Sequence, residues 1–483
     1  NPFHLGVASG DPQSDRVMLW TRLVDNPLPT KDGALRIGEL DGVNEVVVRW
    51  AIATDPQMKQ VVRSGVVIAR PESGHTVRVD ADGLTPSTTY HYQFRTGEHG
   101  EHASAIGRTR TLPAPDASPE RMRFAVACCQ NWQEGHCAAH AHLAREDVDF
   151  VLFLGDYIYE EGIRADGVRK HEGDAPKTLP EYRRRHALYK SDLHLQAAHA
   201  AHPWIAIWDD HEVAGNYAAQ FATDLPGLPP PQFLERRAAA YEAYWEHMPL
   251  RSPSPSGPSM QIFRDFKLGD LARLMMLDGR QYRSKPPCDG KVTTKCDARN
   301  DSVLSMLGLD QERWLLDTLA SATERWKLIG NGTMMSPTVV AGSLVNTDQW
   351  DGFTAERQRL FDAFARRDGV VVMTGDIHCT VLSELPSDAT NARSPKVGVE
   401  LVTTSMSSTG IPEILSSVTK VAAAVASHLK YVNTKMRGYL VCELTRDALT
   451  VSLRGLDNGT ETSGIHTVAS WKIRHGESKI EPA

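Results

Sequence analysis

Three short clusters in this chain place carboxylate, phenol and imidazole groups just past apolar runs. Gly155-Asp156-Tyr157-Ile158-Tyr159-Glu160 follows Phe150-Val151-Leu152-Phe153-Leu154, so an acid and a phenol stand beyond a predicted buried strand. Trp208-Asp209-Asp210-His211-Glu212 closes the run 204–208, and Thr374-Gly375-Asp376-Ile377-His378 closes the run 370–374. The tip of such a strand is where open α/β sheets place their ligands. A carboxylate there can bridge two cations, and a tyrosinate three residues later is a hard oxygen donor suited to a trivalent ion. A fourth strand, 123–127, runs into Cys128-Cys129-Gln130-Asn131 and adds thiols. Singly, each cluster has a plain reading: an aspartate at a strand end often caps a helix, and a buried cysteine is commonly inert core. Four donor sets after four apolar strands converge on one sheet edge, which caps do not explain. They point to a metal-dependent phosphoesterase.

The elements that must position these groups change character along the chain. The first 110 or so residues are β-rich: 46–50, 66–69, 75–79 and 89–94 are short β-branched or aromatic runs separated by turn residues. Leu84-Thr-Pro-Ser-Thr-Thr-Tyr-His-Tyr92 resembles the corner before a late strand of a fibronectin type III sandwich. Thr111-Leu-Pro-Ala-Pro-Asp-Ala-Ser-Pro119 has linker composition. Beyond it, strands alternate with helices predicted over 140–145, 179–189, 193–199 and 233–247, the mark of an α/β domain. Further strands are predicted at 271–277 and 326–330, and 438–444, 449–453 and 468–473 complete a sheet edge. The expected organisation is a domain over 1–112 and a catalytic domain over 120–475.

Composition sets limits. At 483 residues, with 41% hydrophobic and 23% charged residues, the chain is an ordinary globular protein too long for one small core. No apolar run is long enough to cross a bilayer, and 418–429, interrupted by Lys420, reads as a packed helix. With 60 acids against 53 bases, nothing predicts a stable nucleic-acid partner. Seven cysteines leave at least one outside a disulfide. Cys288 and Cys296 flank a short polar segment that reads as a disulfide-closed loop, with two reduced surface thiols as the alternative. The chain opens on Asn1 and not on methionine, which is expected of a processed, secreted form.

The order Cys-Gln, Gly-Asp-Tyr-Ile-Tyr-Glu, Trp-Asp-Asp-His-Glu, Leu-Asp-Gly-Arg-Gln-Tyr-Arg (277–283) and Gly-Asp-Ile-His resembles the PhoD-type alkaline phosphatases and phosphodiesterases, within the calcineurin-like and purple-acid-type metallophosphoesterases. The opening Phe3-His-Leu-Gly-Val-Ala-Ser-Gly-Asp-Pro-Gln-Ser-Asp-Arg-Val-Met-Leu-Trp-Thr-Arg22 is similar to that family's N-terminal domain. The resemblance implies a metallophosphoesterase-type α/β sandwich domain preceded by a small fibronectin- or Ig-like β-sandwich. It also implies one ferric ion with one or two calcium ions. Carried over, Cys129, Asp156, Tyr159 and His378 would hold iron, and Asp156 would bridge to calcium bound by Asp210 and Asp376. Asn216 and Asn331 are further candidate calcium ligands. Asn331 reads equally well as a helix N-cap, and Asn216 equally well as a residue outside the site. Thiolate and phenolate favour Fe(III), whereas carboxylate and amide oxygens suit Ca²⁺. Neighbouring strand residues point oppositely, so only one of Cys128 and Cys129 faces the metals. Cys129 is taken as the ligand, and Cys128 and Cys379 as core.

In that scheme Asp156 bridges the cations that activate a water, His211 protonates the leaving group, and Arg280 contacts the phosphate. The plain alternatives are a supporting role for His211 beside Asp210 and a salt bridge from Arg280 to Asp278 or another acid. The resemblance leaves two activities open. One is hydrolysis of phosphodiesters and phosphomonoesters; the other is phospholipase D-like removal of lipid head groups, with transient membrane contact at a lip near 225–233. A monomer is expected. A third reading, of another class, is a cell-wall or carbohydrate-binding protein whose metals are structural. The chain has no His-x-Lys-x₄-Asp pair and no Gly-x₄-Gly-Lys-Ser/Thr loop, which excludes phosphohistidine phospholipase chemistry and NTP-binding machinery as motifs.

Overall fold

The computed structural model describes every residue except 30–34, 39, 41, 226, 341 and 412–425. Most of the helix expected at 418–429 therefore lies outside the described residues, as does Pro226 of the expected lip. Within these limits two large sheets organise the chain. One has ten strands and centres on the parallel set Arg121–Ala127, Phe150–Leu154 and Pro203–Ile207. The other has seven strands and centres on the parallel set Ala272–Met276, Trp326–Asn331, Val370–Thr374 and Lys396–Val402.

These strands are largely apolar because both of their faces are covered, and alternate side chains go to different cores. In Phe150–Leu154, Phe150, Leu152 and Leu154 face a core shared with Leu274, Leu328 and Val371 of the other sheet. Val151 and Phe153 face the opposite core, against Tyr182, Leu195 and Tyr241 of the helices Leu179–Lys190, Leu193–Ala201 and Pro230–His247. In the second sheet Val371 and Met373 face the shared core. Val370 and Val372 face Leu315, Leu319 and Phe361 of the helices Leu309–Ser321 and Thr354–Phe364. The layers thus run helices, sheet, sheet, helices.

At the N-terminus, Val46–Ala53, Val61–Ala69, Thr89–Thr96, His102–Ala103 and Gly107–Arg110 form a separate five-stranded sheet. Val7–Gly10, Val17–Arg22 and Thr76–Ala81 instead extend the ten-stranded sheet, with Gly10 in parallel register with Trp204. Val7, Val17 and Leu19 share a core with Val48, Ile52, Tyr92 and Phe94. Hydrogen bonding therefore crosses the expected boundary near residue 112. At the other end Gly438–Thr445, Ala448–Leu456 and Ile465–Arg474 complete one side of the ten-stranded sheet, as their sequence suggests.

One local reading changes and another holds. Pro230 and Pro231 open the helix Pro230–His247, where a missing N–H costs nothing, so the lip expected near 225–233 runs into a helix. Cys288 and Cys296 are joined as a disulfide with Cα atoms 6.0 Å apart.

Candidate metal centre

Because the central strands of each sheet are parallel, their C-terminal ends open on the same edge, and every cluster singled out above lies there. Asp156 follows Phe150–Leu154 through Gly155, whose φ is 99°. A Cβ on Gly155 would sit 2.5 Å from Cβ of Asp209, so only glycine lets the neighbouring strand-end turn come this close. Cys129, Asp156, Asn216, Asp376 and His378 have φ of 54°, 58°, 54°, 65° and 52°. Left-handed backbone at non-glycine residues costs about 1–3 kcal/mol each and gathers at functional sites.

Among the described residues three donor groups, each with its atoms within 4.8 Å of one another, share Asp156: Cys129 with His378; Asp210 with His211; and Asp209, Asp210 and Asp376. Asp156 therefore stands where a bridging ligand must stand. On one side its Oδ2 lies 3.3 Å from the Cys129 sulfur and 3.1 Å from the Tyr159 hydroxyl. The same hydroxyl is 2.9 Å from Nε2 of His378 and receives a hydrogen bond from Ser408 at 2.9 Å. His378 Nδ1 donates to the Thr409 carbonyl at 2.9 Å, which presents Nε2 to the site. Cys128 is buried in the inter-sheet core with its sulfur toward the carbonyls of Thr403 and Thr404, beside the Cys129 thiol. Cys379 is buried in a small apolar cluster with Met334, Val381 and Val402.

On the other side Arg280 is fully buried among carboxylates. It grips Asp209 with Nε and Nη2, and it lies 3.1 Å from Asp210, 3.6 Å from Asp376 and 3.7 Å from Asp348. The structure thus places it in an ion-pair network and not free at the rim. The acid partner is Asp209, while Asp278 accepts the backbone N–H groups of Arg280 and Gln281, both at 2.9 Å. Asn216 donates its backbone N–H to Asp210 at 2.5 Å and its side-chain amide to Asp224 at 3.0 Å. Asn331 ends its strand with Oδ1 buried and without a hydrogen-bond partner, the state of an acceptor that a cation would satisfy.

His211 lies against the Tyr159 ring at 4.1 Å and places Nδ1 2.7 Å from Glu160 Oε2. Burial opposes its charging, but Glu160, Asp210 and Asp156 together hold its pKa well above the ordinary value. The carboxylates are short of positive charge. Burial, with Asp210 adding repulsion, raises Asp156 despite His211, His378 and Arg280. Burial raises Asp376 to about 7 even with Arg280 nearby, with Asp210 and Asp348 repelling. Cys129 and Tyr159 are pushed well above their usual values, first by burial and then by neighbouring thiol and carboxylate groups. A soft thiolate beside a phenolate and an imidazole, next to a carboxylate cluster with an orphaned amide oxygen, fits one trivalent and one hard divalent cation.

Glu160, Asp209, Glu212, Asp348 and Ser408 were not assigned roles from the sequence. The two glutamates and Asp209 lie inside the recognised clusters. Asp348 and Ser408 lie in loops, and no local pattern marks them.

Comparison with known proteins places the chain. Residues 124–453 match the model of the PhoD-like phosphatase family, and residues 1–113 match the PhoD-like phosphatase N-terminal domain. Alkaline phosphatase D of Bacillus subtilis (strain 168) is 40% identical over 498 residues, spanning 99% of this chain and 82% of that protein. A solved structure of PhoD superposes with a TM-score of 0.92 at 38% identity, covering all of this chain and 92% of the other. A purple acid phosphatase from yellow lupin seeds shares the fold alone, with a TM-score of 0.57 at 11% identity over 97% of this chain and 73% of that one. The chain belongs to the PhoD-like phosphatase family.

Proposed function

We propose that this phosphoester hydrolase works through one ferric and at least one calcium ion at the shared strand edge, cleaving phosphodiesters and phosphomonoesters. The observation that carries the reading is the sharing of Asp156 by all three donor groups. Cys129, Tyr159, Asp156 and His378 would hold iron, and Asp156, Asp210, Asp376 and Asn331 the calcium side. Bound there, the cations would lower the pKa of a water and neutralise phosphate charge. The chain's own groups supply the rest. Glu160 accepts from His211 Nδ1 and, with the ring stacked on Tyr159, fixes the imidazole so that Nε2 can give a proton to the departing alkoxide. Arg280 holds Asp209 in place, helps keep Asp210 ionised against burial, and acts on phosphate only through them.

The layered fold supports a metallophosphoesterase-type sandwich. The shared core of the five-stranded sheet with the N-terminal strands supports a β-sandwich there, half of which belongs to the main sheet. The Cys288–Cys296 bond supports secretion into an oxidising compartment. No described helix is long and apolar enough to cross a membrane. We take the enzyme to act as a monomer. The test is hydrolysis of bis-p-nitrophenyl phosphate, p-nitrophenyl phosphate and phosphatidylcholine before and after chelation, with calcium then restored. Calcium-dependent cleavage of the small esters is expected. Dominant release of choline from lipid would replace this reading with a phospholipase D-like one.

A further inference from the structure

Glu212 is buried at 1% exposure in the turn that follows Asp210. Its Oε2 accepts the backbone N–H of Asp209 at 2.9 Å and that of Asp156 at 3.2 Å. Its Oε1 accepts the N–H of Tyr157 at 2.7 Å. These donors belong to two different turns, after the adjacent parallel strands Phe150–Leu154 and Pro203–Ile207. One carboxylate therefore ties the turn that carries Asp156 to the turn that carries Asp209 and Asp210. Both oxygens of this one carboxyl group are occupied by backbone donors, and the three bonds fix the two turns together. They act here on a backbone that Asp156 holds in the left-handed region, where it would otherwise relax.

We propose that Glu212 is a positioning residue that sets the spacing between the two turns and thereby the cation affinity of the Asp156–Asp210 pair. The proposal rests on the metal-centre reading above. A purely structural role is separable from it because the molecule contains a matched comparator. Glu356 is equally buried and also accepts three bonds, from Ser305 Oγ at 3.0 Å and from the N–H groups of Met306 and Leu307, yet it belongs to none of the donor groups. Glutamine at either position keeps one acceptor oxygen and turns an amide N–H₂ toward a backbone donor, so both substitutions break a comparable clamp.

The experiment is calcium titration by calorimetry on the chelator-stripped full chain, with Tm measured alongside, for wild type, Glu212→Gln and Glu356→Gln. Both variants are expected to lose a similar amount of Tm. Only Glu212→Gln is expected to bind calcium about tenfold or more weakly, the usual scale for groups that orient metal ligands. If Glu212→Gln does not fold, Glu212→Asp keeps the carboxyl group, withdraws it by one methylene and should show the same weakening in smaller degree. Calcium binding by Glu212→Gln or Glu212→Asp equal to wild type overturns the proposal, as does an equal loss in Glu356→Gln. A wild-type protein that takes up no calcium overturns the metal-centre reading, and this proposal with it.

Discussion

Replacing Arg280 with methionine should make the stability of the protein depend more steeply on calcium. Arg280 is completely buried, grips Asp209 with two nitrogens and has Asp210, Asp376 and Asp348 within 3.1–3.7 Å. Removing one side of a buried ion pair costs about 3–5 kcal/mol, because the partner charge stays desolvated. For 483 residues, an unfolding entropy of about 2.1 cal/mol/K per residue gives about 1 kcal/mol/K. The loss is then about 3–5 °C in Tm. A cation that takes over the freed carboxylates reverses it: at a thousand times Kd, binding stabilises by about 4 kcal/mol, or about 4 °C here. Scanning calorimetry in chelator and then across a calcium series reads both quantities. Arg280→Met should melt several degrees below wild type in chelator and recover most of the gap in calcium. A variant that is unaffected in chelator, or whose calcium response equals that of wild type, would refute Arg280 as the site's resident counter-charge.

The two adjacent thiols should separate cleanly. Cys129→Ser should abolish iron retention and the charge-transfer colour that thiolate and phenolate ligation would give, whereas Cys128→Ala should keep both and lose about 1–2 kcal/mol of stability. Retained iron in Cys129→Ser, read by metal analysis and visible absorbance, would exchange the assignments. The buried imidazoles should add an acid-labile share of the stability. Burial, before any neighbouring charge, depresses His140 to about 3 and His202 to about 4 and holds His186 and His247 well below the ordinary value. Below the unfolded value near 6.5 the unfolded chain takes up protons that the folded one refuses, so stability is full above pH 6.5 and falls as pH drops toward 4. Each residue contributes about 1.4 kcal/mol per pH unit in that window. Denaturant midpoints should fall less between pH 6.5 and 5 in His140→Gln than in wild type, and equal slopes would contradict the burial of this imidazole as a neutral group.

The parts of the fold that the sequence made legible are those that bury both faces. Phe150–Leu154 and Val370–Thr374 were predicted to the residue, because a strand covered on both sides must be written as an unbroken apolar run. The site was legible for the same reason: its donors sit at the ends of such runs. What escaped depends on pairing between distant segments. Val7–Gly10 and Val17–Arg22 join the catalytic sheet through Pro203–Ile207, a contact that leaves no local periodicity. The helices Leu309–Ser321 and Thr354–Phe364 were overlooked although Leu315 and Leu319 show a helical spacing. Arg280 could be read as a phosphate contact or as a salt bridge, and its ion pair with Asp209 comes only from the packing of the two sheets. Ser408 and Asp348 belong to loops whose sequences carry no motif, so their arrival at the site follows from topology alone.

The account stands or falls on Asp156 as the shared ligand. The most direct test is to measure calcium uptake and bis-p-nitrophenyl phosphate hydrolysis together for wild type and Asp156→Ala, after confirming by circular dichroism that the variant is folded. The account predicts that the folded variant binds neither iron nor calcium and loses hydrolysis by at least about three orders of magnitude, the scale of removing a principal electrostatic contributor. A folded Asp156→Ala protein that still takes up calcium and turns over the diester at a rate near wild type would contradict it.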